Sequence, residues 1–255
     1  MYPTLAPTDQ NPRQARATAR VLVVGAGALG CAAARTLAHD SSVATTLVDA
    51  DTVELSNLQR QVLYDDGDIG RLKVEAAAAR LARELGVTID TAAIRFDSDS
   101  GPGLVADADL VIDATDDPPT KFLIGRLCVA AGTPYVYGGV ARTGGQWLLV
   151  EPEKSACLEC VYPAVAGAAS REETAAGCSA LGILAPVAGL VGAMQAVTAL
   201  AFLRRPARAA TGRLHVYEVT GACSRHIDFA PDPHCFCGTA RADHESGSTI
   251  NRRAS

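Results

Sequence analysis

Three closely spaced glycines near the N-terminus are the first residues whose types and spacing suggest chemistry. Gly25, Gly27 and Gly30 directly follow the apolar run 20–24, and Asp49 ends a second apolar run. Glycines let the backbone approach a phosphate, and a helix starting there supplies free N–H groups. A carboxylate ending the second strand can accept hydrogen bonds from ribose hydroxyls. The pattern predicts a nucleotide site; the alternative is a tight βα turn without a ligand.

Polar and charged side chains continue directly behind Asp49. Asp51 follows two residues later, and Asn57 and Arg60 are spaced so that a helical turn puts them on one face. Lys73 lies in the next predicted helix. Two cations and an amide suit a triphosphate and offset the charge that builds during transfer at phosphorus. Hydride transfer by a nicotinamide enzyme needs none of them, although the glycine motif alone fits such an oxidoreductase.

A pair of acids lies at the end of another predicted strand, 110–113. Asp116 and Asp117 follow that strand directly, at the sheet edge where α/β proteins bind ligands. Carboxylate oxygens are ligands that Mg²⁺ prefers. Asp116 is therefore the predicted magnesium ligand, with Asp117 beside it. For any single one of these residues, a solvated surface charge is the simpler interpretation, but the whole set favours a site for ATP and Mg²⁺.

Two cysteine pairs have the spacing of metal ligands. Cys157 and Cys160 form a Cys-x-x-Cys pair, and Cys235 and Cys237 form a tighter Cys-x-Cys pair near the C-terminus. Four thiolates make a closed tetrahedral Zn²⁺ site that is structural rather than catalytic. His234 is an alternative ligand in place of one thiolate, and four unligated thiols are the alternative to a metal site.

The other cysteines and two histidines have simpler interpretations. Cys178 stands just before a long apolar segment, where an exposed thiol near a helix start is a candidate nucleophile; an idle thiol is the alternative. Three cysteines are expected to pack in the core: Cys31, Cys128 and Cys223. His215 and His226 lie in expected strands and are interpreted as structural histidines.

The elements that must position these residues alternate between strands and helices. Strands are predicted at 20–24, 45–49, 87–94, 110–113, 135–137, 146–150 and 213–219. Helices are predicted at 31–38, 70–85, 120–131 and 186–203. This order predicts an α/β, Rossmann-like, doubly wound and mostly parallel sheet. The cysteine pairs add a C-terminal segment pinned by zinc.

Composition restricts the class of protein. The 255 residues include 23 basic and 28 acidic side chains, and the net charge of −5 argues against nucleic-acid binding. No signal-peptide run is present, so we expect a cytoplasmic protein with reduced thiols. Residues 181–203 carry no charge and are long enough to span a membrane, but Gly182 and Pro186 favour a buried helix, and no membrane contact is expected.

Four segments together resemble the ATP site of the ubiquitin-activating-enzyme-like superfamily, and are most similar to its bacterial ThiF/MoeB/HesA branch. They are Val-Gly-Ala-Gly-Ala-Leu-Gly, Asp-x-Asp-x-Val-Glu-x-Ser-Asn-Leu-Gln-Arg-Gln, Gly-Arg-Leu-Lys and Asp-x-Thr-Asp. The second segment is the specific one. The resemblance covers about 20–238, the expected ATP-binding adenylyltransferase domain, with 1–19 as a flexible N-terminal arm and 239–255 as a disordered tail.

The resemblance implies an activity. Members adenylylate the C-terminal glycine carboxylate of a small ubiquitin-like sulfur-carrier protein ending in Gly-Gly, as in molybdopterin or thiamine biosynthesis, and release pyrophosphate. Asp49 would hold the ribose; Asn57, Arg60 and Lys73 the phosphates; and Asp116 the Mg²⁺. In some members a cysteine matching Cys178 binds the carrier covalently. A separate sulfur-donor protein and a homodimer are also implied.

Three departures from the family pattern leave alternatives open. Ala28 and Asp117 stand where members usually have glycine and asparagine, and the usual N-terminal arginine segment is not recognisable; Arg13 or Arg16 is the substitute. The alternatives are an adenylating enzyme for a peptide or tRNA-attached carboxylate, a NAD-dependent oxidoreductase, and a non-catalytic scaffold.

Overall fold

A computed structural model of the chain describes residues 18–163, 165 and 182–238. The strands are β1 (Ala19–Val24), β2 (Val43–Val48), β3 (Asp90–Ala92), β4 (Leu110–Asp113), β5 (Tyr135–Ala141), β6 (Gly144–Val150), β7 (Arg213–Glu218) and β8 (Cys223–Asp228). The helices are α1 (Ala28–Leu37), α2 (Lys73–Leu85), α3 (Gly101–Ala106), α4 (Pro118–Ala131), α5 (Leu158–Val161) and α6 (Ala185–Arg204). Short 3₁₀ turns cover Leu55–Asn57, Asp66–Asp68 and Pro206–Arg208.

One sheet of eight strands contains all of these strands, in the order β3-β2-β1-β4-β5-β6-β7-β8. The first five strands of this order, from β3 through β2, β1 and β4 to β5, pair in parallel. Val24 of β1 lies opposite both Val48 of β2 and Asp113 of β4. Strands β5 to β8 continue the sheet as antiparallel neighbours. The parallel half brings the carboxyl ends of β1, β2 and β4 to one edge, where ligands bind in such sheets.

Helices cover both faces of the sheet. Helices α1, α2 and α6 pack on one face, and α3, α4 and α5 pack on the other. The short apolar strands are buried between the two helix layers, as in parallel sheets generally. The prediction of a Rossmann-like, doubly wound and mostly parallel sheet is confirmed, and the antiparallel half extends the sheet beyond β5.

Helix α6 packs against the core with one part of its surface, and 44% of its most apolar window is buried. Among the described residues it is the one helix long and apolar enough to cross a membrane by length and composition, with a mean hydropathy of 1.7. It packs on α1 and on β4 to β6. A Cβ added at Gly192 would lie 2.2 Å from the carbonyl oxygen of Leu29, so only glycine permits this helix contact. These contacts support the interpretation of a buried helix.

Several element boundaries differ from those predicted. Helix α2 begins at Lys73 rather than at 70, because Gly70 has a left-handed φ of +85°. Strand β3 is much shorter than 87–94, and helix α1 begins three residues earlier than expected. β1 starts at Ala19, inside the expected arm. Helix α3 was not predicted.

The prediction that Cys223 packs in the core is wrong. Every residue of β8 is exposed, because β8 is the last strand of the sheet. Cys31 and Cys128 are buried as expected. Burial raises the pKa of the Cys31 thiol to about 11, so this thiol packs as an apolar group.

Candidate nucleotide site and cysteine cluster

The glycine turn between β1 and α1 needs glycine at both ends. Gly25 has a φ of +97°, and a Cβ there would lie 2.8 Å from the carbonyl oxygen of Ala114. A Cβ at Gly30 would lie 1.8 Å from the carbonyl oxygen of Gly25. The turn is therefore pressed against the chain that leaves β4. Ala28, where a glycine was expected, is buried as the first residue of α1, with Gly27 as N-cap.

The Asp49 carboxylate is fixed at the end of β2 by two backbone amides. Its Oδ2 accepts from Ala26 N–H at 2.7 Å, and its Oδ1 accepts from Asp51 N–H at 2.8 Å. A carboxylate oxygen has more than one acceptor position. The remaining positions of Asp49 are available for hydroxyl donors at the mouth of the glycine turn.

A cavity of about 1400 Å³ lies over the carboxyl ends of the parallel strands. Asn57, Arg60, Lys73 and Asp116 all line it, together with Gly25, Gly27, Ala28, Asp49, Asp51 and Asp117. Such a volume exceeds the usual range for small-molecule pockets, roughly 300–1,000 Å³. The cavity continues past the parallel strands to Gly144 of β6 and Arg225 of β8.

The segment after β2 directs its amide and its guanidinium at this cavity through local hydrogen bonds. Asn57 is 8% exposed, and its Nδ2 donates to Ser56 Oγ at 2.9 Å. Arg60 Nη1 donates to the carbonyl oxygen of Ser56 at 3.0 Å. Asn57 ends a 3₁₀ turn and Arg60 follows in the same bend. Both residues line the same cavity, as the expected common face requires.

Lys73 reaches the cavity from the first residue of α2. Its Nζ lies 2.7 Å from Asp51 Oδ2; the Lys73 side chain is 8% exposed and that of Asp51 is 71% exposed. The ammonium is thus buried beside a solvated carboxylate. A phosphate entering the cavity would compete with Asp51 for the same cation.

The loop after β4 places its two acids differently. Asp116 is exposed and lines the cavity. The Asp117 carboxylate is the N-cap of α4, where it accepts from Thr120 N–H at 3.0 Å and Thr120 Oγ1 at 2.7 Å. Asparagine and aspartate are equally good N-caps, which explains how aspartate replaces the expected asparagine.

A buried lysine under the same loop was missed by the sequence analysis. Lys121 Nζ lies 3.3 Å from both carboxylate oxygens of Asp113 and 2.6 Å from the carbonyl oxygen of Gly138. Asp113 Oδ1 also accepts from Thr115 N–H at 3.1 Å and Thr115 Oγ1 at 2.7 Å. This ion pair fixes the start of the loop that carries Asp116.

The four predicted zinc ligands form one cluster. The sulfur atoms of Cys157, Cys160, Cys235 and Cys237 all lie within 4.8 Å of one another. The Sγ–Sγ distances are 3.5 Å for Cys157–Cys235, 3.5 Å for Cys160–Cys237 and 3.8 Å for Cys157–Cys160. In tetrahedral Zn²⁺ sites with Zn–S of about 2.3 Å the sulfurs are ~3.8 Å apart. His234 is not part of this group.

The thiols of the cluster differ in how readily they ionise. The hydrogen bond from Cys157 lowers the pKa of the Cys237 thiol to about 5, whereas the same contact raises the pKa of Cys157 and burial raises the pKa of Cys235 to about 12. Asp232 N–H points at Cys160 Sγ from 3.4 Å. Backbone donors of this kind orient metal-bound sulfur. Thiolates are the metal-binding form of cysteine.

The remaining predicted positions divide into two groups. Cys178, Arg13 and Arg16 lie outside the described residues. His215 lies in β7 and stacks on the Trp147 ring, with centroids 4.9 Å apart, while His226 lies opposite it in β8. Burial lowers the pKa of His215. This histidine packs as an aromatic ring.

Comparison with known proteins gives consistent matches. The ThiF family model matches residues 4–237. The "SAMP-activating enzyme E1" of Haloferax volcanii is 35% identical over 229 residues, 89% of this chain and 83% of that protein. A "Molybdopterin-synthase adenylyltransferase" of Salmonella typhimurium is 35% identical over 233 residues, 90% of this chain and 91% of that protein.

Solved structures show the same fold. The crystal structure titled "E. coli MccB + ATP" superposes with a TM-score of 0.74 at 21% identity, covering 87% of this chain and 67% of that one. For another MccB structure the covered share is 66%, so this chain spans about two thirds of MccB.

Proposed function

The chain belongs to the ThiF family, and on that premise we propose that it adenylylates the C-terminal glycine carboxylate of a small ubiquitin-like sulfur-carrier protein. Two relatives, most of whose length this chain covers, are named as a SAMP-activating E1 and a molybdopterin-synthase adenylyltransferase. ATP is the proposed second substrate, and pyrophosphate is the proposed product.

The single observation that carries the proposal is the convergence of one amide, two cations and one acid on one cavity. Asn57, Arg60, Lys73 and Asp116 come from three separate parts of the chain, yet all line the space beside the glycine turn. A nicotinamide oxidoreductase has no use for this set. The cavity also extends beyond the room a nucleotide needs, as a protein tail requires.

The reaction follows from the charges. A carboxylate oxygen of the carrier attacks the α-phosphorus of ATP, and the bond from that phosphorus to the bridging oxygen of pyrophosphate breaks. Negative charge grows on the non-bridging oxygens and on the departing pyrophosphate. Arg60 and Lys73 offset this charge, Asn57 donates to phosphate oxygen, and Asp49 holds the ribose. No protein base is required, because a carboxylate is already ionised at neutral pH.

Two metals fit the residues present. Asp116, exposed in the cavity, is the proposed Mg²⁺ ligand; Asp51 is near enough to the phosphate-binding lysine to assist. Bound Mg²⁺ neutralises phosphate charge. The four-sulfur cluster has the spacing of a structural Zn²⁺ site with no open position. Zinc there would join α5 to the segment that carries Cys235 and Cys237.

Membership of the ThiF family also supports proposals about the domain bounds, a covalent intermediate and the partners. Residues 20–238 form the proposed adenylyltransferase domain, and Cys178 is the proposed nucleophile for a covalent carrier adduct. We further propose a homodimer, a separate sulfur-donor protein and work in the cytoplasm. A peptide or tRNA-attached carboxylate is the alternative substrate, because the activation chemistry is the same.

ATP–pyrophosphate exchange tests the proposal. A small ubiquitin-like protein ending in Gly-Gly should support exchange, while the same protein without its last two glycines should not. Arg60→Ala should reduce exchange by roughly 10²–10³-fold, the usual effect of losing one charge-stabilising donor.

Arg83→Ala is the matched control, because Arg83 is an exposed arginine of α2 away from the cavity, and it should exchange normally. Near-normal exchange by Arg60→Ala would contradict the assigned role. Exchange with a peptide or aminoacyl-tRNA instead of the carrier would select the alternative substrate. A chain that binds no ATP in calorimetry would be a scaffold.

A further inference from the structure

Gln61 is a buried amide at the edge of the cavity that none of the roles above uses. It is 3% exposed, and it lines the cavity next to the proposed phosphate-binding residues. Its Nε2 donates to Asn57 Oδ1 at 2.8 Å, in a buried contact. Its Oε1 has no hydrogen-bond partner among the described residues. Burying an unpartnered carbonyl oxygen is unfavourable, so packing alone does not explain a glutamine here.

The hydrogen bonds around Gln61 run in one direction. Gln61 donates to Asn57, Asn57 Nδ2 donates to Ser56 Oγ, and Ser56 Oγ donates to Glu54 Oε2 at 3.3 Å. The Asn57 oxygen is thereby engaged on the buried side. Its NH₂ group has two hydrogens, of which Ser56 takes one. The second is available to a ligand in the cavity.

We propose that Gln61 is a positioning residue that fixes the amide orientation of Asn57, so that Asn57 presents its NH₂ group rather than its carbonyl oxygen to the phosphates of ATP. This inference rests on the proposed function. Without the Gln61 donor, the Asn57 amide is free to turn over. Its oxygen would then face an anionic oxygen, and a charge-assisted hydrogen bond would be replaced by repulsion.

The position of Gln61 fits this role. It lies one turn after Asn57, and its backbone N–H donates to the Asn57 carbonyl oxygen at 3.0 Å, so the two side chains share one face. A Cβ added at Gly27 would lie 3.9 Å from Gln61 Nε2. The amide therefore lies near both the glycine turn and Asn57, at the edge of the cavity.

Titration calorimetry of MgATP into the full chain tests the inference by a double-mutant cycle. Gln61→Met removes the donor and keeps the volume, and it should weaken ATP binding about tenfold, the usual effect of losing one hydrogen bond to a charged group. In the Asn57→Ala background the same substitution should change affinity by less than about twofold.

Gln61→Glu is the second variant, nearly isosteric with glutamine. Its carboxylate accepts from Asn57 Nδ2 and should turn the amide over, so that it weakens binding more than methionine does. This excess should disappear in the Asn57→Ala background, whereas direct repulsion of ATP by the new charge would persist. Thermal melts of all variants report folding separately.

The outcomes distinguish failure of the proposed function from failure of the proposed role of Gln61. Failure of the wild-type chain to bind MgATP removes the proposed function and this inference with it. Normal ATP binding by the wild type, with a tenfold effect of Gln61→Met that persists without Asn57, would overturn the inference alone. Wild-type affinity in Gln61→Met would do the same.

Discussion

Replacing Lys121 with methionine removes the cation that faces Asp113 in the core. The Lys121 side chain is 9% exposed and that of Asp113 is 1% exposed, and Nζ lies 3.3 Å from the carboxylate. Breaking a buried ion pair by removing one partner costs about 3–5 kcal/mol, because the other charge remains buried and uncompensated. We expect Lys121→Met to lower the free energy of unfolding by that amount.

The double variant Lys121→Met/Asp113→Asn separates the charge from the hydrogen bonds. Asparagine is neutral, and its Oδ1 can still accept from Thr115 N–H and Oγ1. The double variant still lacks the hydrogen bond from Lys121 Nζ to the Gly138 carbonyl oxygen, which is 2.6 Å long in the wild type. Leaving this acceptor without a donor costs roughly 1–3 kcal/mol. The double variant should therefore be about 2 kcal/mol more stable than the single one.

Urea unfolding provides the measurement, with the fluorescence of Trp147 as the signal, since Trp147 is the single tryptophan and is buried. Lys154→Met is the control, because Lys154 pairs with Glu151 on the surface with a side chain 69% exposed. It should change stability by under about 0.5 kcal/mol. The reasoning would be refuted by equal losses of unfolding free energy in Lys121→Met and Lys154→Met. A double variant that is less stable than Lys121→Met would refute it as well.

Two further predictions concern the cysteines. Cys160→Ser should lose zinc by elemental analysis and melt at a lower temperature, because it removes one of four tetrahedral ligands. The control is Cys223→Ser, which changes an exposed cysteine of β8 outside the cluster and should keep its zinc. Full zinc content in Cys160→Ser would contradict the site. Cys178→Ala should leave ATP–pyrophosphate exchange intact and abolish any covalent carrier adduct in mass spectrometry, because a methyl group is not a nucleophile; an adduct on the alanine variant would exclude Cys178.

The parallel half of the fold could be predicted because its signals are local. Short apolar runs ending in a glycine turn or an acid identify β1, β2 and β4, and the carboxyl ends of these strands meet at one edge. The residues proposed to face the phosphates follow from that meeting point. Strand β8 had a weaker signal: a strand was expected around His226, but its bounds could not be predicted. Its residues are all exposed, so they do not alternate between apolar and polar as in a half-buried strand. Cys223 was placed in the core by residue type alone.

Lys121 and Gln61 were missed for a different reason. A lysine or glutamine in a charged segment is usually interpreted as a surface residue, and the pairing that buries it is made in three dimensions. A weak signal was present for each. Lys121 lies on the same helical stripe of α4 as Gly125 and Cys128, which are buried. Gln61 follows Asn57 by four residues, the spacing of side chains on one helical face.

The glycine contact between α1 and α6 has a consequence for biosynthesis. Helix α1 carries the glycine turn, but its small-residue face is covered by Gly192 and its neighbours, which the ribosome makes much later. At ~5–20 residues per second, translation leaves that face open for roughly 10 s or more. Until α6 emerges, the nascent chain has a nucleotide-binding turn without the support behind it. The earliest synthesised part of the site is thus completed by one of the last helices.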